Sequence, residues 1–167
     1  MTELKRQVVV IKNSVYENSV SSFSIYKRVR AEDEQGNTIY FKSLVVPDYL
    51  RSKGAIVNDR PRVWFIKNTA KNVSVIIAYE TPDGQIEYDL DEIKALSNSS
   101  RMMGLKFAVA AVPASIIIAT ATFGFGLLLA PLIGYYAYRH LFKVPAMLSQ
   151  KRLIEDFARL SVTIRPH

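Results

Sequence analysis

Residues 107–138 read FAVAAVPASIIIATATFGFGLLLAPLIGYYAY and contain no charged side chain. Lys106 and Arg139 bound this run of 32 residues. One straight helix of that length would measure about 48 Å, which exceeds the hydrocarbon core of a bilayer, about 30 Å. Two shorter antiparallel helices fit, so the sequence predicts a two-helix transmembrane hairpin over 105–142. Glycines give the backbone the freedom for its turn, which is predicted at Gly124, Phe125 and Gly126.

Two features of this hairpin bear on its geometry and orientation. Pro113 and Pro131 lie inside the predicted helices, and we expect each proline to kink its helix. Basic residues flank both ends of the hairpin and the turn has none, which predicts cytoplasmic termini in a plasma membrane, the bacterial inner membrane. Because each helix is near the short limit for a span, a re-entrant or oligomer-buried hairpin is the alternative.

The first hundred residues alternate β-rich runs with turns, which predicts a β domain over 1–96. Strands are predicted over 5–12, 21–31, 37–45, 60–67, 72–80 and 85–88, with hairpin turns at 35–37 and 82–84 and a short helix after Pro47. This order favours a small cytoplasmic β-barrel, OB-like or SH3-like, over a small sandwich. The predicted fold class is therefore a membrane α+β protein.

The predicted elements around the hairpin are helical. Asp89 followed by Glu92 indicates the start of a helix that ends near Leu96, because Asn98, Ser99 and Ser100 are expected to break it. Residues 97–104 then form a linker to the membrane. Residues 143–167 are predicted to be a cytoplasmic amphipathic helix and tail, whose apolar face needs a cover. The lipid interface, the barrel and another subunit are the three candidates.

Charge and composition exclude several function classes. The chain has no cysteine and two histidines, so thiol chemistry is excluded and a Ser-His-Asp set has few candidate members. Although the net charge is +7, residues 1–100 hold 14 basic and 13 acidic residues, which disfavours a nucleic-acid partner. The acidic group Glu87, Asp89, Asp91 and Glu92 is better explained by helix capping than by Mg²⁺. We therefore expect no enzyme activity, cofactor or metal.

Aromatic and basic residues alternate along the second and third predicted strands. Period-two alternation predicts that one sheet face carries Tyr26, Arg28, Arg30, Tyr40 and Lys42. Such a surface suits a small anionic ligand, because rings stack on bases and cations neutralise phosphates. Cross-strand tyrosine and arginine pairs are also ordinary on exposed sheets, so a surface without a ligand is the alternative.

These features favour a non-enzymatic, membrane-anchored accessory subunit or adaptor whose β domain docks on a larger membrane complex. The expected partners are the lipid bilayer and other membrane-protein subunits, or a second copy of the chain. The alternative is a ligand-sensing effector whose barrel binds a nucleotide-like anion and whose hairpins oligomerise. A membrane-tethered nucleic-acid binder ranks third.

Overall fold

The computed structural model describes residues 3–20, 22–122, 124 and 130–164. The chain divides into two compact units. The first contains residues 1–96 and 150–167, and the second contains residues 97–149. The first unit thus combines the amino-terminal domain with the carboxy-terminal segment.

The first unit contains a closed barrel of five strands, which confirms the predicted β-barrel. Its strands and one short helix are β1 (Lys5–Val20), β2 (Phe23–Glu32), β3 (Thr38–Pro47), α1 (Asp48–Ser52), β4 (Pro61–Ala70), β5 (Val73–Glu80) and β6 (Ile86–Tyr88). The strand order is β3-β2-β1-β4-β5-β6, and parallel pairing of β3 with β5 closes the barrel. Helix α1 follows β3, and β6 pairs with β5.

Strand β1 is twice as long as the sequence predicts. Its first part, Lys5–Val10, pairs with β4, and the remainder pairs with β2 up to Val20. The sequence does not predict this second part, because the polar stretch after Lys12 lacks the apolar alternation of a half-buried strand. Register shifts after Ile11, Asn13 and Tyr16 bend the strand, so one strand borders both neighbours in the closed barrel.

The barrel interior is apolar, and two of its buried side chains donate hydrogen bonds to the segment after α1. Trp64 and Tyr79 are fully buried in this interior. The indole Nε1 of Trp64 donates a 2.9 Å hydrogen bond to the carbonyl of Ala55, and the Tyr79 hydroxyl donates to the carbonyl of Lys53. Both polar atoms are therefore satisfied within the core, as buried donors must be.

Helix α2 spans Leu90–Ala121 without interruption. Its start is as predicted, since Asp89 Oδ1 accepts hydrogen bonds from the amides of Asp91 and Glu92. The predicted break at 98–100 is wrong, and the predicted linker 97–104 is helical. Asn and Ser in a helix interior each destabilise the helix by only about 0.5 kcal/mol relative to Ala. The helical residues on both sides of 98–100 outweigh this cost.

The second unit continues with the rest of α2 and a second helical run. This run consists of α3 (Ala130–Tyr138), a π-helical segment (Arg139–Lys143) and α4 (Val144–Met147). Among the residues that the structure describes, α2 alone is long and apolar enough to cross a membrane. Two such spans were predicted, so the transmembrane hairpin is not shown as predicted. Helix α3 has nine described residues, and the segment after it carries the charges of Arg139 and Lys143. The described part of the second run is therefore too short and too charged for a regular membrane span.

The predicted turn and kinks lie partly outside the described residues. Gly124 has φ +96 and its amide donates to the carbonyl of Ala119, so this glycine caps the end of α2. Phe125 and Gly126 lie outside the described residues. Helix α2 passes through Pro113, while Pro131 is the second residue of the described part of α3.

The two helical runs of the second unit pack closely where Gly104 meets the π-helical segment. A Cβ atom added to Gly104 would lie 2.8 Å from the amide nitrogen of Leu141 and 2.9 Å from its Cγ. Phe107 and Tyr136 stack edge to face with ring centroids 5.4 Å apart. A glycine at the contact allows this close approach of the two helical backbones.

Gly104→Ala should therefore destabilise the helix pair, because backbone atoms oppose the added methyl group. We expect a loss of about 1–3 kcal/mol in the free energy of unfolding, as for other overpacked sites. Gly134→Ala is the matched control, since a Cβ there meets nothing within 4 Å. Denaturation of the full chain in mild detergent, followed by far-UV circular dichroism, measures both. Equal stability of the two alanine variants would contradict this packing.

Candidate functional site

A pocket of about 420 Å³ opens in the barrel wall between β1, β3 and the β4–β5 turn. It arises because the pairing of β3 with β5 is limited to Ser43–Val45 and Val73–Val75. Residues 38–42 of β3 therefore have no β5 residues paired with them. Ile39, Phe41 and Ile66 supply the apolar part of its lining. The pocket is thus a consequence of incomplete pairing along the closing seam of the barrel.

The polar lining of this pocket is basic. Lys5, Lys42 and Lys71 contribute to it from β1, β3 and the β4–β5 turn, and all three are exposed. No carboxylate lines the pocket within the described part of the chain. Amide and hydroxyl groups come from Gln7, Asn68, Asn72 and Ser74, and the Ser74 hydroxyl donates a 2.7 Å hydrogen bond to Asn68 Oδ1. This arrangement suits an anion.

The structure brings two of the five predicted ligand residues into this pocket, Tyr40 and Lys42. Arg30 lies opposite Tyr40 in the pairing of β2 with β3, and Arg28 lies in the same part of β2. Both arginines are exposed, but neither lines the pocket. Lys5 and Lys71 were not predicted, because they are distant in sequence and only barrel closure places them together.

Tyr26 differs from the prediction that it shares an outer face with the two arginines. It is 9% exposed, belongs to the barrel core and contacts Tyr16 edge to face. The reason is Arg28, whose φ of +51 interrupts the strand. The alternating buried residues are Ser24 and Tyr26 before Arg28, and Val29 and Ala31 after it. A single non-extended residue therefore reverses the period-two pattern on which the prediction depended.

A second feature of the barrel is the dock for helix α5 (Gln150–Arg159) on strand β4. Leu153 and Phe157 of α5 are fully buried, and the Phe157 ring lies 5.3 Å from that of Phe65. Of the three covers considered for the amphipathic helix, the barrel is therefore the one observed. Strand β4 buries both faces, since Trp64 and Ile66 belong to the inner core.

An ion pair between Lys67 and Asp156 lies inside this dock. The Lys67 ammonium contacts the Asp156 carboxylate, and their side chains are 1% and 2% exposed. Arg152 lies 3.7 Å from the other carboxylate oxygen. Buried charges are tolerated only when paired and hydrogen-bonded. In the sequence, Lys67 and Asp156 each stand among apolar residues of one element. The sequence does not show that these two residues, 89 positions apart, are partners.

The acidic group near the start of α2 has structural partners. Tyr49 donates from its hydroxyl to Glu87 at 2.7 Å and from its amide to Glu92 at 3.0 Å. The hydrogen bond to Glu87 raises the pKa of Tyr49 to about 12. Burial raises the pKa of Glu92. Within the described ranges, no group of three or more His, Asp or Glu side chains has the arrangement of a metal site.

Ser100 and His140 make a polar contact within the second unit. Ser100 Oγ lies 3.1 Å from His140 Nδ1 and 3.3 Å from the His140 carbonyl. The imidazole lies against Tyr136, with ring centroids 5.0 Å apart. This contact joins α2 to the π-helical segment.

Comparison with models of known protein families, with characterised proteins and with solved structures finds no match to this chain.

The dock predicts a specific response to charge removal. Asp156→Asn should destabilise the protein by about 3–5 kcal/mol, because Lys67 keeps a buried charge without its carboxylate. The double variant Lys67→Met with Asp156→Leu should recover most of this loss. Glu80→Gln, which removes the exposed Arg6–Glu80 pair, is the control and should cost about 0–1 kcal/mol.

The fluorescence of Trp64, the only tryptophan, reports barrel unfolding in all three variants. If Asp156→Asn and Glu80→Gln lose equal stability, the buried pair does not hold α5 on the barrel.

Proposed function

We propose that this protein is a non-enzymatic, membrane-anchored accessory subunit or adaptor. In this proposal residues 97–149 enter the bilayer as a helical hairpin, and the barrel with α5 lies at one membrane surface. The docking of α5 on β4 carries the proposal, because it returns the chain to the barrel after the apolar segment. The strand order and the parallel β3–β5 pairing favour the OB-like over the SH3-like alternative.

Chain connectivity supports a hairpin over a single crossing. The chain leaves the barrel unit after Leu96 and rejoins it at Gln150. A single crossing would place α5 and β4 on opposite sides of the membrane, which is incompatible with the Lys67–Asp156 and Phe65–Phe157 contacts. The segment between them therefore crosses an even number of times. Two full crossings and a re-entrant loop both satisfy this condition.

The surface of the second unit supports membrane insertion. Only 6% of the most apolar window of α2 is buried inside the structure. Residues 102–121, in which Lys106 near one end is the single charged side chain, would measure about 30 Å as a helix, which matches a hydrocarbon core of that thickness. Soluble proteins rarely expose contiguous apolar surface of this kind. The large exposed apolar side chains include Val109, Val112, Ile116, Ile117, Leu132 and Phe142.

Flanking charge supports a cytoplasmic barrel. Arg101 and Lys106 precede the apolar run, and Arg139 and Lys143 follow it. Basic residues next to membrane helices remain on the cytoplasmic side. Tyr135, Tyr136 and Tyr138 beside Arg139 fit the interfacial belt on the same side.

Single-cysteine labelling tests this topology directly, since the natural chain has no thiol. Gln35→Cys reports the barrel, Ala158→Cys reports α5 and Thr122→Cys reports the far end of α2; residues 35, 122 and 158 are exposed. We expect a membrane-impermeant maleimide to label positions 35 and 158 only from the cytoplasmic side and position 122 only from the outside.

Absence of labelling at position 122 from the outside would favour the re-entrant loop. Labelling of positions 35 and 158 from opposite sides would contradict the hairpin. The adaptor role itself is tested by solubilising the protein from its native membrane in mild detergent. We expect it in a complex with larger membrane proteins, and a lone monomer would contradict the role.

A further inference from the structure

We propose that the lysine-lined pocket binds a small phosphorylated ligand that carries a planar ring, such as a nucleotide. This inference does not depend on the membrane anchoring proposed above, because every residue of the pocket belongs to the barrel unit. A failure to bind nucleotide would therefore leave the anchoring unaffected, and the reverse also holds.

Unpaired positive charge is the first observation behind this inference. Lys5, Lys42 and Lys71 line one cavity, and none forms an ion pair within 4.0 Å with a residue that the structure describes. Two other exposed lysines of the barrel, Lys12 and Lys27, do have carboxylate partners. Cations gathered around a cleft raise the local concentration of anions. A phosphate chain supplies the charge that this cavity lacks.

The lining and size of the pocket indicate the rest of the ligand. Ile39 and Phe41 are half-buried and Ile66 is 5% exposed, and these three side chains supply the apolar part of the lining. Tyr40 is 56% exposed and presents a ring on which a base can stack. A volume of about 420 Å³ falls within the range of about 300–1,000 Å³ for small-molecule sites.

The charge balance favours a small ligand over a nucleic-acid strand. A strand would require basic groups beyond the pocket, along a continuous path. The barrel instead has nearly equal numbers of acidic and basic residues. Acidic neighbours also accompany the basic residues of β1 and β2, as in the pairs Lys27–Glu17 and Lys12–Glu32.

Calorimetric titration of the full chain in mild detergent tests this inference with three probes: ATP, inorganic triphosphate and adenosine. We expect saturable binding of ATP, weaker binding of triphosphate and no binding of adenosine. Lys42→Gln with Lys71→Gln should reduce the affinity for ATP by about tenfold or more, since two charge-assisted contacts are lost. Tyr40→Ala should weaken ATP binding and leave triphosphate binding unchanged.

Lys94→Gln with Lys151→Gln is the matched control, because it removes two exposed lysines outside the pocket. This variant should bind ATP like the natural protein. Lys42→Arg with Lys71→Arg should also keep binding, and Trp64 fluorescence confirms folding of each variant.

Three results would overturn the inference. One is the absence of saturable binding for both phosphate-bearing probes. Another is an equal loss of affinity in the two glutamine double variants, which would indicate attraction by overall charge alone. The third is binding of an oligothymidylate strand that is tighter than ATP binding and weakens steeply with salt, which would indicate a nucleic-acid surface.

Discussion

The buried pair of Lys67 and Asp156 is the contact on which the arrangement of the chain depends. Burial of the lysine side chain on the outer face of β4 is tolerable only while the α5 carboxylate covers it. The neighbouring stack of Phe157 on Phe65 adds apolar burial, which supplies free energy but little directional preference. Charge pairing inside that apolar contact selects one placement of the helix, because a shifted α5 would leave two buried charges unpaired.

This dock constrains everything between Leu96 and Gln150. The apolar helix α2 and the run from Ala130 to Met147 connect two parts of one folded unit, so they behave as a loop whose ends are fixed. In the membrane arrangement that we propose, this loop buries its apolar surface in lipid and returns to the side from which it started. The close approach at Gly104 is consistent with this return, since the two helical runs meet there without a side chain between them.

Local signals in the sequence were sufficient for much of the fold. The turns with Gly36 and Gly84, the cap at Asp89 and the barrel class followed from residues within a few positions of one another.

Features that depend on distant contacts could not be predicted from the sequence. The second half of β1 is held by β2 despite a polar sequence, and the helix continues through 98–100 because weak breakers do not outweigh flanking helix. Tyr26 was assigned to the wrong face since no local signal reveals the positive φ of Arg28. Of the residues that line the pocket, Tyr40 and Lys42 belong to the predicted ligand face, whereas Lys5 and Lys71 join them only through barrel closure.

Hydrogen–deuterium exchange of the full chain in lipid vesicles tests the dock most directly, because amide protection of α5 reports its attachment to the barrel. An isolated helix of ten residues is marginal in water and exchanges rapidly. We expect amides of 153–159 to be protected as strongly as those of β4, and Asp156→Asn to lower the protection of α5 selectively. Rapid exchange of α5 in the natural protein, beside a protected β4, would contradict the docking of α5 on the barrel.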